Sequence, residues 1–240
     1  MVSRITTVSD IEKIYDKERI KLKEIMGRIP NKVCLTSDVW TASTSEGYIC
    51  LTAHFVDENW KLVSCLLNFL RMKPPHTGIA LEATLFDCLK QWGIDKKIFT
   101  VEDFKSWNSI ESRFVPEKSE LDIYFDDELM ELDEEQSENF DVLLYWKLNE
   151  KKFPILSIMA RDVLSIPITT VASESSFSIG GRVLTKYRSS TLPEHIQMLI
   201  CTRSWLYGFP ENINDEEDIN TMDECNNEMT MTQHTFGLQD

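Results

Sequence analysis

Two hundred and forty residues, 42% hydrophobic and 27% charged, are enough for one large domain or two small ones with a sizeable core. No run approaches the ~20 apolar residues that cross a bilayer, and Met1 to Pro30 is too charged to supply the apolar heart of a signal peptide, so membrane and secretory readings fall away. The net charge of −15 argues against a coat for nucleic acid, but it is concentrated: residues 117–141 hold twelve acids against one base and residues 211–240 nine against none, which leaves the rest at +5.

In chain order, Ile11, Ile14, Tyr15, Ile20, Leu22, Ile25 and Met26 recur among alternating charges, which predicts an amphipathic helix over Ile11–Gly27, ended by Gly27 and Pro30. Lys32–Trp40 reads as a strand, Ser43–Gly47 as a turn and Tyr48–Val56 as a second strand. The short loop Asp57-Glu58-Asn59 returns the chain into Trp60–Met72, so the three strands form an antiparallel meander. After the break Pro74-Pro75-His76-Thr77-Gly78, a helical period runs from Ile79 to Trp92 and stops at Gly93, and Lys97–Val101 is a short apolar strand. Three strands, a crossover helix and a fourth, parallel strand outline half of an α/β sheet.

Residues 102–116 carry no clear period, and the acidic run to Asp141 reads as a solvated connector with room for one helical turn. A second compact region starts at Phe140 with three helical patterns, Val142–Asn149, Ile155–Leu164 and Pro193–Leu206, the last opened by a capping box from Thr191 and Glu194. The domain plan is therefore 1–116, a connector 117–139, a helical region 140–208 and a polar, acidic tail 209–240 expected to be disordered.

Cys34, Cys50, Cys65, Cys88, Cys201 and Cys225 offer no C-x-x-C pair, and His54, His76, His195 and His234 are equally scattered, so a zinc site is not expected and buried free thiols are. Two carboxylates attract notice. Asp38 interrupts the β-branched and aromatic run Leu35-Thr36-Ser37-Asp38-Val39-Trp40, where a carboxylate must be paired, turned outward or bound to a cation. Glu174 stands in a serine-rich stretch followed by Phe177, Gly180-Gly181 and Arg182; the simpler reading places it in the first turn of a helix, where the dipole favours an acid.

As a set these motifs resemble the hAT superfamily of transposases. Thr36-Ser37-Asp38-Val39-Trp40-Thr41, Pro75-His76-Thr77-Gly78 and Lys97-Ile98-Phe99-Thr100-Val101 are similar to the amino-terminal part of its catalytic domain. Phe140-Asp141-Val142-Leu143-Leu144-Tyr145-Trp146-Lys147, Phe153-Pro154-Ile155-Leu156-Ser157, Met159-Ala160-Arg161-Asp162, Ser173-Glu174-x-x-Phe177-Ser178 and Tyr187-Arg188-Ser189-Ser190 resemble its C-terminal dimerisation region. The plant, BED-finger, Ricesleeper-like branch is the nearest likeness.

The resemblance implies a partial ribonuclease H-like fold followed by a helical dimerisation region, with Asp38 matching the first metal-binding acid and Glu174 the last. The expected second Asp after the strand ending at Val101 is missing; Glu102 and Asp103 arrive early in the register, and a displacement of one residue faces the other side of a sheet. The large helical insertion and a BED finger are not in these residues either. What the likeness implies is a nuclear, non-catalytic, domesticated derivative without a cofactor, associating with itself or related hAT proteins through Trp146, Phe153, Leu156, Met159, Phe177, Leu199 and Trp205, with weak DNA binding and no membrane contact. The alternative is a Mg²⁺-dependent nuclease or transposase fragment using Asp38 and Glu174 as catalytic and metal residues.

Overall fold

The charged, periodic opening forms helix α1, Arg4–Arg28. It starts earlier than the expected Ile11 because no breaker stands between Arg4 and Gly27. Its end is held from outside: the Lys97 ammonium donates to the carbonyls of Met26, Gly27 and Ile29 at 2.8–2.9 Å, satisfying groups that a helix terminus leaves open. A computed structural model of the chain describes residues 4–42, 45–72, 77–100, 102–103, 119–128, 130, 133, 137–184 and 191–209. Of the sequence motifs, His76, Val101 and Tyr187-Arg188-Ser189-Ser190 lie outside these residues, as does the acidic tail beyond Phe209.

The meander is realised as β1 (Cys34–Thr41), β2 (Gly47–Val56) and β3 (Leu62–Met72), antiparallel in the order β1-β2-β3. The turn between β2 and β3 is closed by Asp57, whose carboxylate accepts the N–H groups of Asn59 and Lys61 at 2.8 Å, while Trp60 adopts a left-handed backbone at φ 64°. A register shift between Leu51 and Thr52 leaves Leu67 as an extra residue in β3. The expected fourth strand shrinks, among the described residues, to one parallel bridge between Val33 and Ile98, closed by Val33 N–H to Lys97 O at 2.7 Å and Phe99 N–H to Val33 O at 3.0 Å. Its direction is the expected one and its extent is not. Helix α2 (Gly78–Trp92) follows the reading closely, with Thr77 accepting the Ala80 N–H at its start and Gly93 in the left-handed conformation at its end.

Beyond the connector's helix α3 (Glu120–Phe125) come α4 (Val142–Asn149), α5 (Pro154–Leu164), α6 (Val171–Val183) and α7 (Pro193–Tyr207). Among the described residues from Val142 onward there are thus four helices, beyond the three read from periodicity. The fourth, α6, read from the sequence only as a helix start around Glu174, buries Ser173, Ser176 and Gly180 together with half-buried Phe177, so its inner side is built mostly of small residues that an apolar count does not register. The Thr191–Glu194 capping box is not formed: the first helical carbonyl belongs to Leu192, Pro193 occupies the first position, and no side chain caps the start.

All of these elements belong to one compact unit, Met1–Gly208. One sheet face packs Leu51, Ala53, Phe55, Cys65 and Leu67 against Met26 of α1 and Cys88 and Trp92 of α2. The opposite face presents Cys34, Thr36, Asp38 and Trp40 beside His54, Thr52, Cys50 and Tyr48, and it receives α5 and α6. Helix α7 lies against β3 and α1, where Trp205 stacks on Tyr15 at 5.0 Å and donates its indole N–H to the Leu66 carbonyl at 2.6 Å. Cys201 reaches the carbonyl of the bulged Leu67, so the irregularity in β3 is sealed by α7.

Candidate functional site

Asp38 is half-buried in mid-β1, on the sheet face that α6 covers, and its Oδ1 accepts the N–H of its own neighbour Val39 at 2.8 Å. Glu174 sits in the first turn of α6, as the simpler reading had it; there it is exposed and accepts a hydrogen bond from Thr170 at 3.3 Å. The helix presses Ser173, Ser176, Phe177 and Gly180 toward the sheet, which rotates Glu174 about a quarter-turn away from the Asp38 side. Of the two acids near the expected second position, Glu102 is exposed, and Asp103 is spent on other work. Asp103 pairs with the Lys32 ammonium at 2.9 Å and accepts from Thr100 N–H and Oγ1 at 2.9 Å. Burial raises its carboxyl, and the Lys32 and Thr100 hydrogen bonds outweigh that and hold it below the usual range. Among the described residues no three His, Cys, Asp or Glu side chains converge on a point that would hold a cation.

The aromatic and aliphatic residues read as dimer-forming divide by orientation. Phe153 is fully buried and meets Tyr124 edge-on at 5.6 Å; Trp146 stacks on the same tyrosine at 5.7 Å. Phe177 stacks on Trp40 at 5.7 Å and lies 6.0 Å from Phe69, and Trp205 is engaged with Tyr15 and Trp92. These four therefore pack within the chain in this structure. Leu156 and Met159 are half-buried, and Leu199 is exposed. A different apolar set faces outward: Leu144 and Leu148 on α4, Ile155 and Ile158 on α5, and Ile166 and Ile168 in the loop before α6. Their signal was present in the periodicity, but a helix that is apolar on both sides does not say which side is inner.

Two adjacent charged residues on α5 fasten this helical layer to the sheet. Arg161, 4% exposed, lies over the Trp60 ring at 4.2 Å, donates to Glu150 at 3.0 Å and to the Asp57 carbonyl at 3.3 Å, and so grips the β2–β3 turn. Asp162 accepts the Lys32 N–H at 2.6 Å at the entrance to β1, and Ser165 bonds both the Asp162 carbonyl and the Cys34 thiol. Burial pushes the Asp162 carboxyl up to about 6, with the Lys32 backbone donor opposing and the neighbouring Asp103 adding to the rise. The connector is drawn in as well: Glu120 on α3 accepts the N–H groups of Ile155 and Leu156, supplying the start of α5 with the acceptor that Phe153 lacks.

Residues 120–206, from α3 to the end of α7, match the hAT family C-terminal dimerisation region. Over these residues the chain is similar to hAT proteins. Residues 36–115, which begin in β1 and pass α2, match the ZBED1 RNase-like domain. Among curated proteins the chain is similar to zinc finger BED domain-containing protein RICESLEEPER 2 of Oryza sativa, 43% identical over 111 residues, 45% of this chain and 15% of that protein. It is also similar to a putative AC transposase of Zea mays, 34% identical over 155 residues, 62% of this chain and 18% of that protein. A third likeness is to DAYSLEEPER of Arabidopsis thaliana, 46% identical over 89 residues, 37% of this chain and 12% of that protein. The chain thus spans less than a fifth of the length of each of these relatives.

The hAT region includes α3 and so begins inside what the composition suggested was a solvated connector. It packs on the RNase-like segment through the Arg161 and Asp162 contacts and through the α6 aromatic pairs, which accounts for Met1–Gly208 forming one unit. The structure beside it is a mixed α/β arrangement around a three-stranded antiparallel sheet.

Proposed function

We propose that this chain is a nuclear, transposase-derived association protein that pairs with itself or with related hAT chains and performs no strand transfer. The observation that carries the reading is the match of α3–α7 to a dimerisation region, realised as a helical layer that still turns apolar side chains outward. The partial sheet, for which the hAT resemblance implies a ribonuclease H-like fold, serves as the platform on which that layer is built. The commitments of Asp103 to Lys32 and of Glu174 to its own helix start support a non-catalytic role. DNA contact belongs to the same reading only as a weak, salt-sensitive property of the mildly basic remainder of the chain.

Light scattering coupled to size exclusion on residues 1–240 across a hundredfold concentration range tests it. A concentration-dependent dimer is expected. A monomer at every concentration, which also fails to co-elute with a related hAT chain, overturns it. Cleavage of DNA with Mg²⁺ or Mn²⁺ that disappears in Asp38→Ala would refute the non-catalytic part.

A further inference from the structure

The edge of a sheet invites further pairing, because one row of N–H and C=O groups is left without a ladder. The two edges of this sheet are treated differently. Strand β3 lies against α7, whose Trp205 takes the Leu66 carbonyl and whose Cys201 takes that of Leu67. On β1 the only ladder contact beyond β2, among the described residues, is the bridge from Val33 to Ile98. Thr100 then turns the Ile98 segment aside. Its N–H and hydroxyl go to the Asp103 carboxylate and its Oγ1 accepts the Asp103 N–H at 3.3 Å, a reciprocal pairing that opens a helix rather than prolonging a strand.

Val33 fixes which groups of β1 point outward. Its N–H and C=O both serve the Ile98 segment, and backbone direction alternates along a strand whose pairing with β2 is unbroken. Leu35, Ser37, Val39 and Thr41 therefore turn their backbone groups away from β2. Ser37, Val39 and Thr41 are exposed as well, Val39 at 42%. Among the described residues one donor of this row has a partner: the Val39 N–H, which the Asp38 carboxylate accepts at 2.8 Å. Asp38 is also the one charged residue of Cys34–Thr41.

We infer that Asp38 guards the outer edge of β1 against the addition of a strand from a second copy of the chain. Its carboxylate occupies the Val39 N–H, and its charge stands mid-strand, so that a two-fold edge pairing centred there would break that bond and bring two carboxylates together. This gives Asp38 a role that does not depend on Glu174 or Asp103, which are engaged elsewhere. Strand β1 lies outside residues 120–206, so the role is independent of the association reading.

Hydrogen exchange followed by NMR on residues 1–240 reads the edge directly. After correction for sequence, the Val39 amide should exchange roughly tenfold more slowly than that of Ser37, and Asp38→Ala should remove the difference. A Ser37 amide as protected as Val39 would show a covered edge and overturn the guard; a Val39 amide as fast as Ser37 in the wild type would remove the cap. Aggregation supplies the second readout, scored as thioflavin-positive species larger than a dimer, so that a dimer formed through α3–α7 does not enter. Asp38→Ala should form them about fivefold faster than the wild type, and adding Ser37→Lys, which returns a charge to the exposed edge, should restore the slow rate. Equal rates for wild type and Asp38→Ala overturn the inference. Fast aggregation that Ser37→Lys does not slow traces to a weakened fold and overturns it as well.

Discussion

Asp162 shows what a single buried carboxylate does for this fold. Its native carboxyl titrates near 6 against an ordinary value of 3.8, so between those limits the folded chain holds a proton that the unfolded chain has released. Stability from this group therefore rises as pH falls from 7 toward 4 and is lost again as pH climbs through 6; the change is on the order of 2–3 kcal/mol. Asp162→Asn keeps an acceptor for the Lys32 N–H and removes the titration. Urea midpoints of the variant should lack the part of the wild-type slope between pH 4 and 6 that Asp162 contributes, and parallel slopes would show that this carboxyl is not the group responsible. The comparison of the two proteins matters because Lys32 and Asp103 face the same point, and because burial lowers His54, held between Thr36 and Ser64 at 2.9 Å, which acts in the opposite direction as pH falls. The sequence marked Arg161 and Asp162 only as part of the hAT-like run Met159-Ala160-Arg161-Asp162 and not as buried anchors, since partners more than a hundred residues away supply that role.

At the scale of elements, the close approach of α6 to the sheet depends on Gly180. A Cβ there would stand 2.9 Å from Cζ of Phe69, a fully buried ring stacked on Tyr48, whereas at Gly181 the nearest atom is a Trp40 carbon at an ordinary 3.7 Å. Replacing a mid-helix glycine by alanine normally stabilises by roughly 0.5–1 kcal/mol, and overpacking a core costs about 1–3 kcal/mol. Gly181→Ala should therefore raise the denaturation midpoint and Gly180→Ala lower it; equal shifts would mean that α6 does not sit this close to β3. The same helix illustrates the limit of periodicity. α1, the strands and α2 were legible because large apolar side chains mark their inner faces, and the C-cap glycine at 93 marks an end. α6 was legible only at its start, from Glu174 in a serine-rich stretch, because its contact with the sheet is made mostly by serines and a glycine.

For the whole molecule, the two matched segments share one core. Trp205 of α7 joins the cluster that α1, α2 and the sheet form, and α5 and α6 cover the other sheet face. If the backbone is cut at a protease site inserted between residues 116 and 119, both fragments should stay together on size exclusion under native conditions and separate only in denaturant. Fragments that part on cutting would show that the helical layer stands alone. Much of the plan followed from the sequence alone: the meander, the crossover helix, the parallel return at Ile98 and the likeness to hAT proteins rest on local periodicity, turn residues and short motifs, all properties of neighbouring residues. Tertiary structure decided which side of each C-terminal helix is inner, that Asp103 and Asp162 converge on Lys32, and that Trp146 and Phe177 pack within the chain while Ile155, Ile158, Ile166 and Ile168 are exposed. Those outcomes depend on which distant surfaces meet, and an apolar or charged side chain has the same local signature whether it meets the sheet or the solvent.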